Sequence, residues 1–345
     1  VERVTPVVRV MREDDNMTVI PWTNADHFTC NEKFQGEFEV TLEIPAGGPY
    51  RIDTSLETKS TVPDLTWLYR GDCVLHLGVG NLFIIAGQSN SAGYSRDFCI
   101  DPPSMDVHLY RNRNKWDIAS HPMNESTFAG SLANEEMGVP GVSPYLAFGK
   151  TYGKMTGMPV GLIQTSLGGS PMERWNPKDG DLYLNMLDKI HQTGGKYAGV
   201  LWYQGCSDTN PGPAEKYLEH FREYVEATRK ELGYEIPFFT MQLNRQINGI
   251  NDECWGMVRD AQARAAKEIP GVSVLTTSNL SLCDGIHNTA QANVALGEKL
   301  AKQCAHVLNG KEEYQPPELV KVERADEAER KSFRKMALME LILTM

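Results

Sequence analysis

The residue pattern predicts an α/β fold of three layers, a five-stranded parallel sheet between helices, preceded by a small β-rich accessory region. Three observations carry this expectation. After about residue 80, short continuous apolar runs alternate with longer stretches whose apolar residues recur every three or four positions, as in parallel strands buried on both faces and the amphipathic helices that cover them. Before that point polar and apolar residues alternate, as in antiparallel strands with one wet face. The length, 345 residues, suits one large domain and something smaller, at roughly 100 to 200 residues per domain.

The elements follow in order. Glu37 to Ile44 alternates polar with apolar residues, Pro45-Ala46-Gly47-Gly48-Pro49 reads as a turn, and Tyr50 to Asp53 alternates again, which is hairpin chemistry. This places a β-rich accessory module at 1–79. A larger domain at 80–310 then carries strands at Leu82 to Ala86, Val160 to Thr165, Gly199 to Tyr203, Phe238 to Leu243 and Val272 to Thr276. Helices are expected at Ser143 to Thr156, Leu182 to Gln192, Pro213 to Leu232, Trp255 to Glu268 and Ala290 to Leu308, each with a periodic apolar stripe. Residues 311–345, Pro- and charge-rich at first and apolar from Leu338 to Met345, form a C-terminal extension, either a last helix or the start of a truncated module.

Composition removes several classes of function. With 34 Lys and Arg against 45 Asp and Glu the formal net charge is −11, and no Lys/Arg-rich block opposes it locally, so neither nucleic acid nor an anionic membrane surface is an expected partner. No apolar run approaches the roughly 18 residues a bilayer span needs. The seven cysteines are scattered, without a CxxC pair, so neither a disulfide framework nor a thiolate metal site is expected. The histidines outside the block described next share no HxxxH-type spacing, so no metal is expected, and no GxxxxGK or complete dinucleotide glycine motif occurs, so no nucleotide cofactor is expected either.

In parallel sheets of this kind the reacting groups collect in loops beyond the carboxyl ends of the strands, and four such loops carry chemistry. The first strand runs into Gly87-Gln88-Ser89-Asn90, where a serine can be held exposed beside free backbone N–H groups; a lone example is equally ordinary turn chemistry. The second leads to Gly168-Gly169-Ser170, whose glycines let the backbone offer an N–H to a developing oxyanion. The third ends in Trp202-Tyr203-Gln204-Gly205, with an amide that either donates to the same oxygen or is a satisfied strand-end residue. After the fifth comes Asp284-Gly285-Ile286-His287, whose spacing at a helix entrance lets the carboxylate reach the near imidazole nitrogen and leaves the far one for a serine proton. Together they supply nucleophile, oxyanion donors, base and orienter.

Ile85 to Asn90, with Gly168-Gly169-Ser170, Trp202 to Gly205 and Asp284-x-x-His287, resembles the SGNH-hydrolase superfamily, in its sialate O-acetylesterase and carbohydrate esterase family 6 branch, over about residues 80 to 308. The resemblance implies a flavodoxin-like sheet and assigns Ser89 as nucleophile, His287 as base and Asp284 as its orienter. It implies an oxyanion hole from the N–H groups of Ser89 and Gly169, with Gly168 a further candidate, and the Gln204 amide. Gln88, Asn90, Glu173 and Trp175 are the expected substrate contacts, Trp175 being as readily structural as a sugar-stacking platform. No cofactor is implied. One position departs from the family, which carries Gly-Glu-Ser-Asp where this chain has Gly205-Cys206-Ser207-Asp208; Cys206 reads better as a small buried hydrophobe than as a reactive thiol.

The activity this implies is removal of acetyl groups from a sialate- or xylan-type sugar through an acyl-enzyme. Two alternatives stand beside it: a general SGNH esterase on aryl or lipid esters, against which the polar loops near Asn124-Glu125-Ser126-Thr127 argue, and a decayed hydrolase that only binds glycans. The unpaired cysteines favour the cytoplasm, and secretion after loss of a leader is the alternative. Nothing in the residues speaks to oligomeric state.

Overall fold

The computed structural model describes residues 4–33, 35–59, 66–138, 141–247 and 249–309. The C-terminal extension expected at 311–345 lies outside them. The chain opens with β1 (Val4–Arg12), β2 (Thr18–Asn24), β3 (His27–Cys30), β4 (Gly36–Glu39), β5 (Gly47–Lys59) and β6 (Thr66–Val79). All pair antiparallel, as a four-stranded sheet in the order β2-β1-β5-β6 and a small β3-β4 hairpin. The alternation around residue 40 is thus a correct sign of a β region but overreaches locally. Pairing stops at Glu39, and the expected turn at 45–49 already belongs to β5 from Gly47 onward, because β5 continues its ladder with β6 as far as Val79.

One residue after β6 the second sheet begins with β7 (Asn81–Gly87), followed by α1 (Ser89–Ala92), β8 (Val107–Tyr110), β9 (Trp116–Ile118), α2 (Tyr145–Thr156), β10 (Val160–Gln164), α3 (Asp181–Thr193), β11 (Tyr197–Tyr203), α4 (Pro213–Leu232), β12 (Phe238–Met241), α5 (Asp252–Glu268), β13 (Val272–Leu275) and α6 (Ala290–Leu308). All five expected strands and all five expected helices are present. The sheet order is β13-β12-β11-β7-β10-β8-β9. Two edge strands therefore extend the expected five: β8, parallel to β10, and β9, antiparallel to β8.

Alternation within buried strands sorts the core into two layers. Ile84, Ala86, Ile163, Val200, Trp202 and Phe238 pack with apolar residues of α3, α4 and α5, whereas Phe83, Ile85, Leu162, Leu201, Phe239 and Met241 pack with those of α2 and α6. Each central strand is covered on both faces, which is why its sequence is continuously apolar. β7 lies between β10 and β11, so the chain leaves β10 on one side of β7 and returns as β11 on the other. That reversal opens a crevice at the carboxyl end of β7, where ligands bind in sheets of this class.

Candidate active site

Gly87 and Ser89 stand at the carboxyl end of β7. Gly87 has φ +127°, and a Cβ there would lie 2.3 Å from the Tyr203 carbonyl oxygen of neighbouring β11. Only glycine lets β7 turn this sharply beside its neighbour. The turn delivers Ser89 to the first position of α1, where its N–H has no acceptor within the helix. Ser91 Oγ, bonded to the Ala86 carbonyl (3.0 Å) and to Tyr145 Oη (2.6 Å), pins the turn from below.

Ser89, only 4% exposed, lies 2.9 Å through Oγ from Nε2 of His287, whose Nδ1 lies 2.7 Å from Asp284 Oδ2. The three residues thus form one hydrogen-bonded line. Asp284 and His287 lie just before α6, which Thr289 caps, its hydroxyl accepting from the Ala292 N–H. What joins them is a tight turn in which Asp284 Oδ1 accepts the N–H groups of Ile286 (2.9 Å) and His287 (2.7 Å) while Oδ2 faces the ring. Partial burial works to raise the Asp284 pKa and is outweighed by these hydrogen bonds, so its carboxyl is held below its ordinary value.

The expected oxyanion donors separate into two groups. The Gly169 N–H makes no hydrogen bond among the described residues, and the residue, at φ +66°, is exposed; its N–H is left without a partner, as an oxyanion donor would need. The Gly168 N–H is taken by Glu136 Oε2 at 2.8 Å. Gln204 is corrected as well. It is wholly buried, and its Nε2 donates to the Ser170 carbonyl and to Asp208, so the amide braces neighbouring loops and has no proton left for the site. Asp208, whose carboxyl burial raises, also accepts the Met172 N–H.

Of the expected substrate contacts, three prove to be scaffold. Trp175 is fully buried, edge-on to Trp202 at 5.2 Å, with Nε1 donating to Ser170 Oγ; an indole in the core offers no face to a sugar. Asn90 clamps the loop that carries His287, donating to the Ile286 carbonyl (3.1 Å) and accepting from the Asn288 N–H (3.0 Å). Gln88 Oε1 accepts the N–H groups of Gly205 and Ser207, fixing the loop after β11. Glu173 alone is exposed, on the rim of a cavity of about 380 Å³ shared with Ser207, Lys216 and His220. Cys206 packs against the core, and burial pushes its thiol up to about 12, so this position holds a neutral thiol.

Two residues at the site carry no sequence signal. Tyr94 stacks on the His287 ring, centroids 5.4 Å apart and planes 30° from parallel, and its hydroxyl donates to Glu136. Glu136 lies outside every strand and helix expected from the sequence. Among the described residues no cluster of three His, Cys, Asp or Glu side chains could hold a metal ion, and no helix is long and apolar enough to cross a membrane.

A family model described as carbohydrate esterase, sialic acid-specific acetylesterase, matches residues 79–306. A curated Arabidopsis thaliana protein named as a probable carbohydrate esterase is 26% identical over 245 residues, 64% of this chain and 88% of its own. Among solved structures, an Arabidopsis thaliana protein superposes with a TM-score of 0.57 at 24% identity, covering 65% of this chain and 97% of its own. A carbohydrate acetylesterase from Xanthomonas citri gives 0.55 at 19% identity over 89% of this chain and 69% of its own. NanS gives 0.54 at 12% identity over 67% and 98%. At these identities the structural likeness shows the fold.

Proposed function

We propose, on the premise that the chain belongs to the carbohydrate esterase, sialic acid-specific acetylesterase family, that it releases acetate from O-acetylated sugars by acyl transfer through Ser89. The observation that carries this reading is the unbroken line Asp284 Oδ2, His287 Nδ1, His287 Nε2, Ser89 Oγ, with steps of 2.7 and 2.9 Å. It meets the geometric requirement for a base to take the nucleophile's proton and for a carboxylate to hold that base in the right tautomer.

Ser89 Oγ attacks the acetyl carbonyl carbon as its proton passes to His287 Nε2. Asp284 keeps Nδ1 protonated and faces the imidazolium that results. The carbonyl oxygen, now an oxyanion, turns toward the N–H groups of Ser89 and Gly169, donors fixed before the reaction begins. On collapse, the C–O bond to the sugar breaks and His287 returns the proton to the departing hydroxyl oxygen. A water then attacks the acetyl-Ser89 ester with His287 again as base, and acetate leaves. Every proton is moved by His287, and no cofactor enters.

A second reading, esterase action on aryl or acyl-chain esters, draws on one observation. Phe98, Ile100, Phe128, Leu132 and Met137 are each more than four-fifths exposed, in the segment that also holds Tyr94 and Glu136. The polar residues near 124–127 are therefore not the whole character of these loops. Acetate release measured on O-acetylated sialic acid, acetylated xylo-oligosaccharide and p-nitrophenyl acetate, beside acid release from p-nitrophenyl octanoate, separates the two. The proposal expects kcat/KM to be highest on an acetylated sugar; a preference for the octanoate would replace it with the second reading.

A further inference from the structure

We propose that Tyr94 is a positioning residue for the base: its ring, locked in place by Glu136, lies against one face of His287 and stabilises the imidazolium formed when His287 has taken the Ser89 proton. The inference rests on the reading of Ser89 and His287 given above and goes beyond it.

Three observations support it. The first is the stack itself, with the phenol and imidazole centroids 5.4 Å apart and the ring planes inclined by 30°. An aromatic face carries negative quadrupole density, so a cation within about 6 Å of its centroid is attracted. Neutral imidazole gains little from this and imidazolium gains more, so the contact strengthens as the proton moves, which is the condition for lowering a barrier rather than merely binding substrate.

The second is how tightly the ring is held. A Cβ on Gly138 or on Gly168 would fall 2.1 or 2.2 Å from Tyr94 Oη, so the phenol is wedged between two glycine backbones. Its hydroxyl donates to Glu136 Oε1, and burial together with that bond keeps it protonated. A phenol donating to a carboxylate has a more electron-rich ring than a free one.

The third is the support behind Glu136. Lys189 Nζ donates to Asn112 Oδ1 (3.1 Å), Asn112 Nδ2 to Asn124 Oδ1 (2.7 Å), and Asn124 Nδ2 to Glu136 Oε2 (2.9 Å). Each amide accepts at its oxygen and donates at its nitrogen, so the chain runs one way, from a buried amino group to the carboxylate. Glu136 also accepts the N–H groups of Gly138 and Gly168. A carboxylate with these donors does not wander, and neither does the ring it holds.

The test compares wild type, Tyr94→Phe, Tyr94→Leu, and enzyme carrying mono-, di- and trifluorinated phenylalanine at position 94. It reads kcat and KM on p-nitrophenyl acetate, the rate of inactivation by a fluorophosphonate, and Tm. Tyr94→Leu is expected to lose about tenfold in kcat, equivalent to ~1.4 kcal/mol, with KM changed less than twofold and inactivation slowed to match. Tyr94→Phe, which keeps the ring, should stay within about threefold of wild type, and the fluorinated series should lose kcat stepwise as ring density is withdrawn at unchanged Tm. An unchanged kcat in Tyr94→Leu, a flat fluorinated series, or a loss confined to KM would overturn the proposal. Wild type that inactivates normally but releases no acetate from sugars would overturn the substrate reading alone; wild type that does not inactivate would overturn the roles of Ser89 and Tyr94 together.

Discussion

Asp284 divides its two oxygens between shaping a loop and meeting the His287 ring, and the proposed orienting role of the second is testable at that one residue. Its Oδ1 holds the turn through two backbone N–H groups, while Oδ2 meets the imidazole. Asp284→Asn can retain the first function while presenting an NH2 to Nδ1, which favours the wrong imidazole tautomer. The expected loss is roughly a thousand- to ten-thousandfold in kcat, with little change in Tm; a loss below tenfold would remove Asp284 from the site. Gln204→Ala should behave in the opposite way. By stripping a donor from the buried Ser170 carbonyl and from Asp208 it should cost about 1 to 3 kcal/mol of stability by urea unfolding, whereas an oxyanion donor would show as a hundredfold or greater loss of kcat in a protein of unchanged stability. The meeting of Ser89, His287 and Asp284 is legible in the sequence because all three stand in loops that follow the parallel strands β7 and β13. The roles of Gln204, Trp175 and Asn90 are not, because a polar or aromatic residue after a strand looks the same whether it faces a substrate or a neighbouring carbonyl. Tyr94 and Glu136 reach the site through tertiary packing across 42 positions, and no spacing encodes that.

Among the elements, those with their own periodicity or continuous apolar run were legible, α4 and α6 to the residue. The short edge strands β8 and β9 were not. His108 interrupts the one, the other has three residues with Asp117 at its centre, and both derive their regularity from pairing with β10 and with each other. Helix α3 carries a feature that periodicity hides, since its stripe includes Lys189, fully buried with Nζ donating to Asn112 and to the Gln164 carbonyl. Burial lowers its pKa from 10.5 to about 7, partly opposed by Asp188. The unfolded chain therefore binds this proton at pH values where the folded chain has released it, and the Lys189 contribution to stability rises as pH climbs from about 7 toward 10.5. In urea unfolding at pH 7 and pH 9, Lys189→Met should remove that part of the slope; an identical pH dependence in both proteins would mean that the amine keeps its charge when folded.

Across the whole molecule, the acid limb of stability draws also on paired carboxylates other than Asp284. Burial works to raise the pKa values of Asp101 and Asp53, and pairing outweighs it: His121 and Lys150 hold Asp101, and Arg9 and Arg51 hold Asp53, both below the ordinary 3.8. Their stabilisation is complete above that value and is lost as pH falls through the lower folded-state values. Asp101→Asn should accordingly lower stability at pH 6 and flatten the decline between pH 4 and pH 2, as read by circular dichroism; an unaltered decline would place the acid sensitivity elsewhere. The two-sheet plan was legible because the change from alternating to continuous apolar patterning falls where β6 gives way to β7, while the exact pairings of β1 to β6 depend on partners distant in sequence. The reading of the molecule as a whole depends on one reaction. The most direct measurement is acetate released from an O-acetylated sugar by wild type and by Ser89→Ala at equal, verified folded concentration. The account predicts release by wild type and a loss of at least about a thousandfold in Ser89→Ala; equal release by the two proteins would contradict it.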